Sequence, residues 1–249
     1  HLSIRRQRQM CIRDSLHGSM QILSDLLKDS FLRDGGNLLI GHRVTKIISQ
    51  TKSNIFHVNV IDRRKNLIEL KASDIVFSLP PQSLLDLIPI DGGLSTTYRE
   101  SIKKLPKSNG AAVFYGAVRR ADLPVDCRGH IQVFDENFGS LFISISMEDD
   151  QRAPAGMATL IASVFVDIDQ WSNLDSQSYA RKKNILSKQI RTILNKKFDL
   201  IESSWDHQEF ATPRSFEKWT GRPRGIVGGL GQHPDQFGPF GLSSRTPLR

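Results

Sequence analysis

The sequence predicts an α/β region followed by an α+β region built on an antiparallel sheet. Three observations lead there. Within residues 16–90 an amphipathic helical pattern gives way to short alternating apolar segments. Four strand candidates then succeed one another across turns rich in Asp, Asn, Gly and Pro, which favours antiparallel pairing. A long helical pattern and one more strand candidate close the second region. With 249 residues, 39% apolar and 24% charged, the chain has the material for a sizeable core and the composition of a folded protein.

Met20, Leu23, Leu27 and Phe31 recur at helical spacing, with Ile22 and Leu26 beside them. Ser19 is placed to cap this helix, and Gly35 and Gly36 to stop it. Short strands are expected at residues 38–40 and 44–48. Phe56, Val58 and Val60 alternate as a half-buried strand does, and residues 67–70 can pair with them through the polar turn at 62–66. Ile75, Val76 and Phe77 read as a buried strand ended by Pro80 and Pro81. Short helices follow at 83–88 and 98–105. Strand candidates occupy 111–118, 131–134, 141–146 and 159–166. A helix over 179–198 carries the apolar stripe Leu186, Ile190, Ile193 and Leu194. A last strand is expected at 208–211, before Thr212 and Pro213.

The net charge is +8. Residues 1–15, HLSIRRQRQMCIRDS, are polar and aperiodic and hold four arginines against one aspartate. They read as a non-native, adapter-like tail; a short basic arm is the alternative. With the tail set aside, the case for a nucleic-acid partner weakens. Seven basic residues between Arg181 and Lys197, with no acid among them, suit either a solvated helix face or an anionic membrane surface. Two cysteines and seven scattered histidines give neither a disulfide framework nor metal-ligand spacing, so no metal site is expected. No secretory signal and no membrane-spanning run is evident.

The stretch GRPRGIVGGLGQHPDQFGPFG, residues 221–241, holds seven glycines and three prolines. It fails as a phosphate-binding loop. Pro234 stands where the third glycine of GxGxxG belongs and has no N–H to donate, and no helical pattern follows. Ile226, Val227, Leu230, Phe237 and Phe240 interrupt the glycines and suggest an ordered wall with close backbone packing. Arg222, Arg224, Gln232 and His233 add donors without an evident catalytic partner. Glu148, Asp149 and Asp150 read as a solvated turn, and Asp206 and His207 as structural. No catalytic residue is assigned; His233 is the titratable group best placed within this stretch.

The segment from Ala211 through GGLGQHP and FGPFGLSSRTPL closely resembles the late part of carotenoid desaturases and isomerases, of the flavin-containing amine-oxidase-like superfamily. The nearest likeness is to the C-3′,4′ desaturase branch. HGSMQILSDLLKDSFLRDGGNLLIGHRVTKI and IVFSLPP are similar to earlier parts of the same family, with Ser19 where many members have a second glycine. The resemblance covers roughly residues 16–248. It implies an incomplete FAD-binding domain at 16–90, a substrate domain at 91–212 and a return segment towards the flavin at 213–249. It further implies that the chain is an internal fragment, inactive alone, because the GxGxxG and GD motifs of the family are not in it.

By the same resemblance, the backbone of Val44 contacts the adenine end of FAD. Gly228, Gly229, Gly231, Phe237 and Phe240 line the polyene or the flavin. The parent protein is expected to desaturate a long apolar carotenoid from the cytoplasmic side of a membrane as a peripheral enzyme. A redox-neutral cis–trans isomerase is the alternative within the family. A non-enzymatic basic module that binds membrane or nucleic acid is the alternative from another class.

Overall fold

A computed structural model describes residues 20–50, 55–106, 108–127, 129–136, 138–148, 151–229 and 241–248. It is a mixed α/β structure in which every strand pairing among the described residues is antiparallel. It divides into two compact units. One comprises the described residues of His1–Gly36 and Asn109–Val227, the other those of Asn37–Ser108 and Gly228–Arg249.

In the first unit, α1 (Met20–Arg33) forms where the helical spacing placed it. The N–H of Gly36 donates to Phe31 O at 2.8 Å and that of Gly35 to Leu32 O at 3.1 Å. Gly35 takes the left-handed conformation this ending requires. The apolar stripe of α1 is exposed along its length, and the helix has no buried residue. Ser19 lies outside the described residues.

The body of this unit is a five-stranded sheet formed by β4 (Gly110–Arg119), β5 (Gly129–Asp135), β6 (Gly139–Ile145), β7 (Met157–Val166) and β8 (Trp205–Ala211). Their spatial order is β5-β6-β7-β4-β8. Alternation explains the layering. Along β7, Ala158, Leu160, Ala162 and Val164 are buried while Thr159, Ile161, Ser163 and Phe165 face the other way. The buried face is covered by α5 (Ser176–Phe198), which inserts Ile190, Leu194 and Phe198 against Phe114, Leu141, Ile143 and Leu160. Asp175 caps α5, accepting from the N–H groups of Gln177 and Ser178 at 2.9 Å. The hydroxyl and N–H of Ser178 hold the Asp175 carboxyl below its usual range, as befits an acid at a helix N-terminus. A short helix, α4 (Asp169–Ser172), precedes it.

Like α4, a longer helix of this unit escaped the sequence reading. Residues Pro213–Thr220 form α6, entered through a Thr212–Ser215 capping box with Pro213 in its first turn. The threonine–proline pair is the signal that marks such a start. Thr212 is fully buried, and its hydroxyl pairs with that of Tyr179 at 2.8 Å, joining α6 to α5.

The second unit is built on a three-stranded meander, β1 (Arg43–Gln50), β2 (Ile55–Ile61) and β3 (Leu67–Ala72). The β2–β3 turn is held by the Asp62 carboxylate, which accepts from the N–H groups of Arg64 and Asn66 at 2.8 Å. Helices α2 (Ser83–Leu87) and α3 (Thr96–Lys103) close a small core of Ile47, Leu84, Ile88, Leu94 and Ile102.

Two strand expectations are corrected. Residues 38–40 and 75–77 lie outside any ladder. Leu38, Leu39 and Ile40 are exposed and run into a turn at Gly41, whose φ is +76°. Val76 is 96% exposed, and of its neighbours only Phe77 packs on the core. An apolar run needs a neighbouring strand before its backbone can form a ladder, and neither segment has one among the described residues. The α/β character expected for residues 16–90 is therefore present only as helices and an antiparallel meander within that segment, without a parallel sheet.

Candidate functional site

The sheet face turned away from α5 is open along β5, β6 and the end of β7, while Ala111 and Val113 of β4 are buried on it. Register decides what it presents. Phe142 of β6 stands opposite Ser163 of β7 and Gln132 of β5, while Ala111 of β4 stands opposite Phe165. These residues, with Ser140 and Val164, line a groove of about 350 Å³. It crosses four strands, or about 14 Å at the usual inter-strand spacing.

Its polar atoms are turned on one another. Gln132 Nε2 donates to Ser140 Oγ at 2.5 Å, and Ser163 Oγ donates to the Phe142 carbonyl at 3.5 Å. What remains for a ligand is largely ring and methyl surface. The His130 ring stacks on Phe142 with centroids 5.2 Å apart. Phe165 and Phe134 are 71% and 78% exposed. Further along the same face Tyr115 stands opposite Glu209. Burial, and secondarily the Glu209 carboxylate, push the Tyr115 hydroxyl above its usual range and keep it neutral. The groove thus offers an apolar, aromatic bed without a proton-transfer pair, suited to aligning an extended apolar molecule.

The residues singled out from the sequence fall elsewhere. Val44 sits in β1 opposite Val60, just before a bulge at Thr45, whose hydroxyl donates to Asn59 O at 3.2 Å. It is 38% exposed, so its position is accessible. Gly228 and Gly229 belong to the same unit and are exposed; Ser108 Oγ donates to Gly229 O at 2.6 Å. A Cβ on either glycine would meet nothing within 4 Å, so the close packing expected of this stretch is not found at these two positions. Gly231, Phe237, Phe240, Gln232 and His233 lie outside the described residues, as do Asp149 and Asp150. Asp206 and His207 are exposed on β8, and Glu148 is exposed in a turn.

Close packing occurs instead at Gly225. A Cβ there would lie 1.9 Å from the Pro213 carbonyl oxygen. The neighbouring Arg224 is structural, ion-paired with Asp169 and donating from Nε to Ser172 Oγ at 3.2 Å. Gly225, Gly228 and Gly229 therefore form no cradle for a flavin. Among the described residues no group of His, Cys, Asp and Glu could hold a metal ion, and no helix is long and apolar enough to cross a membrane.

The chain has distant, partial similarity to prolycopene isomerases. It is 30% identical over 96 residues to the chloroplastic prolycopene isomerase of Arabidopsis thaliana, covering 38% of this chain and 16% of that protein. It is 29% identical over 119 residues to the chloroplastic prolycopene isomerase of Daucus carota, covering 44% and 19%. The matches thus span less than a fifth of these relatives. No protein-family model matches the chain. Among solved structures, tetracycline destructase Tet(51) aligns over 69% of this chain and 39% of its own at 16% identity and a TM-score of 0.28, too weak a likeness to carry a fold assignment. The similarity favours the isomerase side of the carotenoid flavoprotein family. Desaturase specificity, the main expectation from the sequence, is not supported by it.

Proposed function

We propose that the chain is the substrate-holding part of a flavin-dependent carotenoid cis–trans isomerase, and that a long polyene lies in the groove on the open sheet face. The observation that carries this is the groove itself, with Phe142, Phe165 and Ala111 brought onto one face and their polar neighbours internally bonded. The partial similarity to prolycopene isomerases supports the choice of reaction.

Within this reading the described residues align the polyene by stacking and apolar contact. The family likeness implies FAD in the parent protein, and the isomerisation it would serve is redox-neutral overall. Val44, Gly228 and Gly229, with Gly231, Phe237 and Phe240, are proposed as flavin- or polyene-side residues of the parent protein on the family likeness alone. Desaturation is the second reading, motivated by the GGLGQHP and FGPFGLSSRTPL likeness.

The test is product analysis with the full-length, flavin-loaded protein and a cis-configured polyene. Isomerisation gives a product of unchanged mass and altered chain geometry. A product two hydrogens lighter replaces this reading with desaturation, and an unaltered polyene refutes both.

A further inference from the structure

The two sheets present four edge strands among the described residues. Three of them carry charge. In the meander, β1 exposes Arg43 and Lys46, and β3 exposes Glu69 and Lys71. In the larger sheet, β8 exposes Asp206 and Glu209. Charged side chains on an edge keep other chains from pairing with its free backbone groups. The fourth edge, β5, has no such protection. From Gly129 to Phe134 it holds no Asp, Glu, Lys, Arg or Pro, and it pairs with β6 without a bulge. Phe134 is 78% exposed there.

This strand is also its own complement. Set antiparallel to a second copy about Gln132, it places Gln132 opposite Gln132, His130 opposite Phe134 and Ile131 opposite Val133. Residues paired in this way point to the same face. His130, Gln132 and Phe134 are exposed on the open face, while Ile131 and Val133 pack towards the core. Ring therefore meets ring on one face, and β-branched side chain meets β-branched side chain on the other, the pairings that stabilise a sheet. Asp135 falls opposite Gly129, away from its own copy. A foreign strand could use the same backbone, but the palindromic order of ring, β-branched, amide, β-branched and ring selects a second copy.

We infer that β5 pairs with β5 of a second copy of this chain, giving a twofold dimer whose two five-stranded sheets run on as one. The strand offers seven residues, fewer than the roughly 20–30 a side of a standard interface, so the dimer is expected to dissociate in about the micromolar range. If the sheet groove holds a polyene, which rests on the function proposed above, Phe134 of the second copy extends its aromatic bed beside His130. The pairing itself does not depend on that reading.

The experiment is sedimentation velocity of the whole chain from about 1 to 100 μM, without polyene or flavin. A reversible monomer–dimer equilibrium is expected. Gln132→Lys sets two ammonium groups face to face and is expected to weaken the dimer about fivefold. Phe134→Lys loses the ring pair twice by symmetry, and about tenfold weakening is expected. Adding His130→Glu to Phe134→Lys opposes each new ammonium with a carboxylate of the other copy and is expected to restore the dimer. The substitutions are on exposed positions, and an unaltered circular dichroism spectrum shows that each variant is folded.

A chain that stays monomeric over this range overturns the proposal. So does self-association that survives Gln132→Lys and Phe134→Lys but is abolished by Leu27→Glu, which places the contact on the exposed stripe of α1. Failure of His130→Glu to rescue Phe134→Lys overturns the register, and with it the self-complementary pairing. Because no polyene is present, the result is independent of whether the sheet groove binds one.

Discussion

Trp205→Ala is expected to destabilise the five-stranded unit by about 4 kcal/mol, the upper range for truncating a buried aromatic. Trp205 lies on the inner face of β8 and meets Phe114 edge-on, with ring centroids 5.3 Å apart. Its Nε1 donates to Asn195 Oδ1 at 2.8 Å, so truncation also strands a polar group of α5. The surroundings are already shaped around the ring: a Cβ at Gly116 would lie 2.3 Å from Trp205 Cζ3. The space therefore cannot be refilled by a small shift. A denaturant melt followed by far-ultraviolet circular dichroism, with hydrogen exchange in β4 and α5, measures the loss. A change below about 1 kcal/mol would contradict this view of the core.

Gly225→Ala is expected to cost about 3 kcal/mol, combining left-handed strain with a backbone collision. The residue has φ +69°, and an added Cβ would meet both the oxygen and the carbon of the Pro213 carbonyl, at 1.9 and 2.5 Å. A side chain could swing aside, but the first turn of α6 cannot without releasing the Thr212–Ser215 cap. Relief would also disturb the Gly110–Ile226 bridge and the bond from the Val227 N–H to Asn109 O at 3.1 Å. Gly228→Ala is the comparison. Its φ is +74° but its Cβ would enter open space, so only the conformational cost, about 1 kcal/mol, applies. Equal costs for the two variants, measured by the same melt, would mean that φ alone matters and that the contact with Pro213 does not.

These two sites show what could be read from the sequence and what could not. The alternation in β7 and the stripe Ile190, Leu194 on α5 are local patterns, and both form as written. Residues 75–77 are as apolar as a buried strand, yet strandedness depends on a neighbour that local pattern does not supply. Gly225 belongs to a conspicuous glycine-rich stretch, but its contact is with Pro213, and only the folded chain brings the two together. Pro213 itself, following Thr212, was a readable helix start.

The candidate groove lies further from the sequence still. Phe142 and Phe165 each look like an ordinary strand residue. They share one open face because β6, β7 and β4 pair in a particular register, and one residue of slippage would turn one of them inward. The family likeness directed attention to residues 228–240, of which the structure describes only Gly228 and Gly229. The open sheet face carried no motif to announce it.

The most direct test of the central claim is titration of the whole chain with a polyene, followed by tryptophan quenching and the absorption shift of the bound chromophore. Ser163 stands between Phe142 and Val113 on the open face, so Ser163→Phe fills the groove while leaving the buried face untouched. The account predicts saturable binding by the wild type and binding weakened at least about tenfold in Ser163→Phe, with the far-ultraviolet spectrum unchanged. Undiminished binding by a folded Ser163→Phe variant would contradict it.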